Sequence, residues 1–354
     1  MAIMHVSSTG SNTSPYDTFA KAATTLLVAT AAQVADNDIH VLNTHTETSP
    51  GSVTYTLKNN VNVYSTDASG VYDITSKPVI SATTGANDTI RVTPSAAGEA
   101  VCLHGINLQA NSSINLGAYN ISGTIDTVDC IVGPNKDGQG GSNILGYSGE
   151  ECYNRNMIME INAQYAFFIA FSGGENLTLD NVSFVINGVY SRDVFTIGNT
   201  SSLTVLNIIN SDLTALPSSI HLLRGLNASS PILKCNIHDC KINPSIVVNP
   251  STITNGTGYE IDIKSCDIGG GYHYYHRYTP QGEVAENLVT YLNYKYDGIS
   301  SSSALFNSNA RATIAKPLKF KLCELPAQDL SANDTTYRVN LLLHTDTVST
   351  LSDT

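Results

Sequence analysis

Apolar residues recur along this chain in one short pattern: apolar, any, apolar, two intervening residues, apolar or small, any, apolar. It fits Val101, Leu103, Ile106, Leu108 and again Leu177, Leu179, Val182, Phe184. It fits Leu206, Ile208, Ser211, Leu213, then Cys235, Ile237, Cys240, Ile242, then Ile261, Ile263, Cys266, Ile268. The last four starts are about 29, 29 and 26 residues apart, and the step from Val101 to Leu177 is close to three such units; such self-similarity marks a repeat architecture. Alternation puts the first two apolar residues of each unit on one face of a strand. The interruption reads as a corner: Asp180-Asn181, Ile209-Asn210, His238-Asp239, Lys264-Ser265. The next apolar pair then points inward from a second short strand. A further strand follows, as in residues 194–197, 220–223 and 246–248. Three short strands per turn predict an all-β fold, a right-handed parallel β-helix. Equivalent residues of successive turns stack about 4.8 Å apart, which would set Cys240 against Cys266 as a thiol ladder. The Leu-x-x-Leu-x-Leu consensus of leucine-rich repeats is absent.

One helix is predicted at the start. Ser14-Pro15-Tyr16-Asp17 offers a capping hydroxyl, a proline at the first helical position and an acid in the first turn. Phe19, Ala22, Ala23, Leu26, Leu27, Thr30 and Val34 follow at helical spacing, and a strand begins at Ile39. The helix is expected to close the open end of the solenoid. Residues 45–100 and 120–175 are less regular, with strand-like runs at 53–57, 61–64, 89–92 and 165–171 and a long Gly-rich loop from Gly133 to Gly149. From about residue 284 the pattern changes to longer alternating runs at 318–322 and 337–343. The expected domains are a cap at 1–45, the β-helix at 46–285 and a small β-sandwich-like domain at 286–354.

Composition narrows the class. Charged residues are only 14%, against 33 Asn, 26 Gly and 18 Tyr, with abundant Val, Ile and Thr. Disordered chains lack the β-branched and aromatic share; strands with many Asn and Gly turns need it. The net charge of −12 argues against nucleic acid and against anionic membranes as partners. Seven Cys at irregular spacing, with no Cys-x-x-Cys, read as small core residues made in a reducing cytosol. The opening Met1–Val6 lacks the charged and apolar regions of a signal peptide. Frequent Asn-x-Ser/Thr sequons, as at Asn176 and Asn181 beside a predicted core strand, weigh against eukaryotic secretion.

No constellation commits the chain to catalysis. Asp126 with Asp129, and Glu150 with Glu151, are close in sequence but do not recur one turn later. A calcium site with a base, or a carboxylate pair, would need such recurrence. Cys235, His238, Asp239 and Cys240 mix metal-ligand types, but the Cys point to the core and the other two to the corner, so no metal or other cofactor is expected. His104, His221 and His344 read as isolated structural residues. The most distinctive segment is Tyr272-His273-Tyr274-Tyr275-His276-Arg277-Tyr278, behind three glycines. It is read first as a plug over the last turn and second as a contact surface for a host glycan or a partner subunit.

The opening (Ser7–Asn12, then Tyr16–Ala22 and a strand after Asp38) resembles the N-terminal cap of bacteriophage right-handed β-helix proteins. The run Ala315–Phe320 with Leu351-Ser352-Asp353 resembles the small C-terminal β domain of structural proteins of marine phages. The resemblance implies a virion component made in the host cytoplasm and displayed on the particle exterior as a capsid decoration, head spike or fibre. Its partners would be other virion proteins, further copies of itself (a trimer by analogy with phage spikes) and a host surface glycan. The expected function is structural or adhesive rather than enzymatic. The rivals are a tailspike polysaccharide depolymerase, which needs paired carboxylates in one groove, and a bacterial surface adhesin, which needs an export signal.

Overall fold

The computed structural model describes residues 2–116, 123–135, 143–147, 151–161, 167–171, 176–186, 195–197, 204–217, 222–225, 233–243, 259–268, 292–297, 300–301, 319–322 and 342–343. Among them the chain is a parallel β-solenoid with one helix. The strands form three sheets of 13, 10 and 7 strands. Each turn visits them in order, as in Val61–Thr66, Val79–Ala82 and Thr89–Pro94. Strands of one sheet therefore come from successive turns, and their pairing is parallel.

The repeat pattern is the inside of this solenoid. Ile39, Val63 and Leu103 align in one column of the first sheet, and Leu179, Ile208 and Ile237 continue it. All six are buried. Between Leu103 and Leu179 the column carries two polar residues, Thr127 and Asn154. Both are fully buried, and the Thr127 hydroxyl donates to Asn154 Oδ1 at 2.6 Å. Buried polar groups persist where they satisfy each other in this way. In the second sheet Ile80, Leu108, Val132, Met159 and Phe184 form the matching buried column.

The corners after the first-sheet strands fall where the interruption predicts them. Gly105, Asp129, Asn156, Asn181, Asn210, Asp239 and Ser265 all have positive φ, between 51° and 71°. Asn, Asp and Gly enter this left-handed region at the least cost, which is why they populate the corner. The corner N–H groups of Gly105, Asp129, Asn156, Asn181 and Asn210 reach the neighbouring turn: Asn156 donates to the Asp180 carbonyl at 2.9 Å and Asn181 to that of Ile209 at 3.0 Å. The residue just after the corner turns inward. Cys130, Met157, Val182, Ser211, Cys240 and Cys266 are all buried there. Cys240 and Cys266 are neighbours, as the stacking predicts, and the Cys266 thiol donates to the Ile237 carbonyl at 3.3 Å.

Three expectations are corrected. The helix spans only Leu26–Ala32, with Thr25 as N-cap accepting from Val28 N–H at 3.2 Å. Residues before it do not continue the helix back to Ser14, because their backbone bonds go elsewhere. Ser11, Asn12 and Thr13 N–H donate to Ala20, Ala22 and Lys21 carbonyls; His5 and Ser7 N–H, in and just after the strand Ile3–Val6, donate to Tyr16 and Ala23. The segment thereby covers the outer edge of the first sheet. Second, the Gly133–Gly149 stretch holds the strand Asn143–Tyr147 and the end of Ile131–Asn135. Parallel stacking supplies the ladder bonds whatever the local composition. Gly133, at φ +114°, sits where the pairing with Asn107–Ala110 shifts register, and a Cβ there would overlap the Glu160 carbonyl. Third, the third-sheet strand expected at 220–223 lies at Leu223–Gly225; its next counterpart, 246–248, is outside the described residues. Beyond residue 286, strands Leu292–Asp297, Lys319–Leu322 and Leu342–Leu343 pair in parallel with the first sheet. A separate domain at 286–354 rests mainly on residues outside the described ones.

Candidate functional site

The segment Tyr272–Tyr278, with its neighbours from 269 to 291, lies outside the described residues, as do Glu150, His221 and His344. Glu151 begins the strand Glu151–Arg155, and its side chain is outside the described ones. The other expected groups are placed. Asp126 stands on the outer face of the first sheet and accepts from Tyr153 N–H at 2.9 Å. Asp129 is at the corner, taking Asn156 Nδ2 at 2.9 Å and the Tyr72 hydroxyl at 2.8 Å. The two carboxylates thus serve different neighbours. Cys235 and Cys240 face the core; burial pushes the Cys235 thiol up, and the hydrogen bond with Cys266, followed by burial, pushes up that of Cys240. Among the described residues no three His, Cys, Asp or Glu are grouped to hold a metal ion.

Two features of the outer face of the first sheet were not legible in local motifs. The first is a ring column. Register aligns His5, His40, Tyr64 and His104 on four successive strands. Tyr64 and His104 stack with centroids 4.4 Å apart, His40 meets Tyr64 edge-on at 5.8 Å, and His5 packs on Phe19 at 4.3 Å. Tyr72, from the 67–77 loop, leans on Tyr64 and His104. His104 is therefore not isolated. Burial is the main cause that holds His5, His40 and His104 below the ordinary histidine range. The Nδ1 atoms of His5 and His40 are buried without a hydrogen-bond partner, which suits the neutral ring.

The second feature is a shallow groove of about 380 Å³ on the strands Thr124–Val128, Glu151–Arg155, Asn176–Asp180 and Thr204–Ile209. Register sets Asp126, Tyr153, Thr178 and Asn207 in one outward column. Asn236 donates to Asn207 Oδ1 at 2.7 Å, and Asn207 donates to Thr178 Oγ1 at 3.1 Å. The ladder stops there, because the Tyr153 hydroxyl turns sideways to Asp180 Oδ2 at 2.8 Å. That bond also raises the Tyr153 pKa. With the bulky ring leaning aside, the short side chains of Thr124, Asn176 and Val205 leave a hollow. The signal that would have found this column is the middle residue of each apolar-x-apolar strand, read across turns rather than along the chain.

No protein-family model, no curated protein and no solved structure matches this chain.

Proposed function

We propose that this protein is a non-enzymatic bacteriophage surface protein, a capsid decoration, head spike or fibre with a structural or host-adhesive role. In this reading the solenoid is a right-handed β-helix, the hand that parallel crossovers take. The helix Leu26–Ala32 and the segment before it close its N-terminal end. The closing role is supported by where the bonds go. Leu26 N–H donates to Glu47 Oε2 at 2.6 Å, and Gln33 Nε2 donates to the Thr56 carbonyl at 2.5 Å, so end strands of the other two sheets are covered as well.

The observation that carries the non-enzymatic reading is that, among the described residues, carboxylates of the first sheet and its corners are committed to bonds between turns. Asp129 accepts from Asn156 and Tyr72, Asp180 from Asn210 and Tyr153, and the buried Asp38 from Asn62. A general acid or nucleophile must keep its oxygens for substrate. These hold neighbouring turns together, as a durable scaffold requires. The particle, its exterior and a trimeric assembly come from the resemblance of the opening and the tail to phage proteins. Incubation of the purified chain with acidic and neutral bacterial polysaccharides tests the reading. Polymer size followed by light scattering stays constant; falling size with new reducing or unsaturated ends would make the protein a depolymerase. Cryo-electron microscopy of particles carrying the chain then places it on the exterior, and absence from the particle would refute the virion assignment.

A further inference from the structure

We infer that the groove around Tyr153 is a binding site for a neutral saccharide, which would give the adhesive reading above its ligand and rests on that reading. The hollow is lined by hydroxyls of Thr124 and Thr178, amides of Asn176 and Asn207, the Asp126 carboxylate and the Tyr153 ring. This set selects by exclusion and by fit. Among the described lining residues there is no Lys or Arg, and the charged one is Asp126; a phosphate, sulfate or uronate would meet repulsion from that carboxylate. A purely apolar ligand would strip water from amides and hydroxyls without replacing their bonds. A sugar suits this set: its hydroxyls both donate and accept, so they can add bonds to carboxylate, amide and hydroxyl groups that already hold a neighbour, and its C–H face suits an aromatic ring.

The geometry supports the same class. Tyr153 is 36% exposed and faces outward, while Cys152 and Asn154 on either side point into the solenoid, as strand alternation requires. Its hydroxyl bond to Asp180 and its N–H bond to Asp126 fix it from both ends, so the ring is held in place before any ligand arrives. A prepositioned side chain loses little freedom on binding. The Thr178–Asn207–Asn236 ladder extends the polar lining over further turns in register. The surface thus repeats turn by turn, as an oligosaccharide repeats residue by residue.

The test is titration of the full chain with maltohexaose, cellohexaose and a neutral branched mannan, with oligogalacturonate as the acidic control. Two surface variants accompany it, Tyr153→Ala to remove the ring and Asn176→Arg to fill the hollow, each checked for an unchanged circular-dichroism spectrum. Binding of a neutral glycan that weakens at least tenfold in both variants is the expected result. Equal binding by the variants, binding of the acidic glycan alone, or binding of none of the probes would each overturn the site. Adherence of the labelled intact chain and of the Asn176→Arg variant to host cells separates the two claims. Adherence that survives Asn176→Arg leaves adhesion standing without this groove, whereas no adherence by the intact chain removes the adhesive reading itself.

Discussion

Asn181 condenses what a single residue does in this fold. Its φ of +55° makes the corner, its N–H bonds the next turn and its Nδ2 donates to Asn156 Oδ1 at 2.8 Å. Asn181→Ala therefore loses the side-chain bond and forces an alanine into the left-handed region, a cost of about 1–2 kcal/mol for the backbone alone. Asn181→Gly, which keeps the backbone at ease, should recover much of that in urea unfolding. If the two variants unfold at the same midpoint, the corner is not strained as described. The ring column makes a second prediction. Burial holds His5, His40 and His104 below 6.5, while the carboxylates Asp17, Asp38 and Asp129 oppose this more weakly and Arg155 adds to it at His104. Unfolded histidines then take up protons that the folded ones refuse, so stability is full above pH 6.5 and falls as the pH drops beneath it. The urea midpoint should decline from pH 7.5 to 5.5, and His40→Phe should flatten that decline. A midpoint equal at both pH values would remove the column from the pH response.

The helix shows how an element can be shorter than its pattern. Leu26–Ala32 is too short to be stable alone and owes its existence to what it touches. Thr25 caps it, and Glu47 takes its first N–H while also accepting from the Tyr55 hydroxyl at 2.8 Å and facing His45 Nε2 at 2.9 Å. Thr25→Ala should destabilise by about 1 kcal/mol. Glu47→Leu should cost more, since the Tyr55 hydroxyl, the Leu26 N–H and the His45 ring would all lose their partner in a buried place. Hydrogen exchange at Val28–Thr30 reads both variants directly; protection retained in Glu47→Leu would show that the carboxylate does not hold the helix.

At the scale of the molecule each turn pairs its strands with those of its neighbours, so stability is close to a sum over interfaces. Ile237→Ala opens a void in the inward column beside Ile208, at an expected cost of about 2–5 kcal/mol. Because both adjoining interfaces feel it, the loss should lower the midpoint of one cooperative transition. Two separated transitions in far-ultraviolet dichroism would mean that the solenoid behaves as independent halves.

Local patterning along the chain is enough to predict the repeat, the inward-facing positions and the corners. Leu177, Leu179, Val182 and Phe184 are buried, and Asn181, Asn210, Asp239 and Ser265 have positive φ, as their spacing predicts. These are local consequences of alternation and of left-handed tolerance, which a few adjacent residues encode. The other features depend on contacts between distant parts of the chain. The pattern around Ser14–Phe19 is helical on paper, yet the strand Ile3–Val6 claims the backbone bonds of the residues that follow it. The ring column and the Tyr153 groove join residues more than twenty positions apart, aligned only by parallel register. Register between turns depends on how many residues each loop consumes. Only the folded chain settles that count, and so which outward side chains become neighbours.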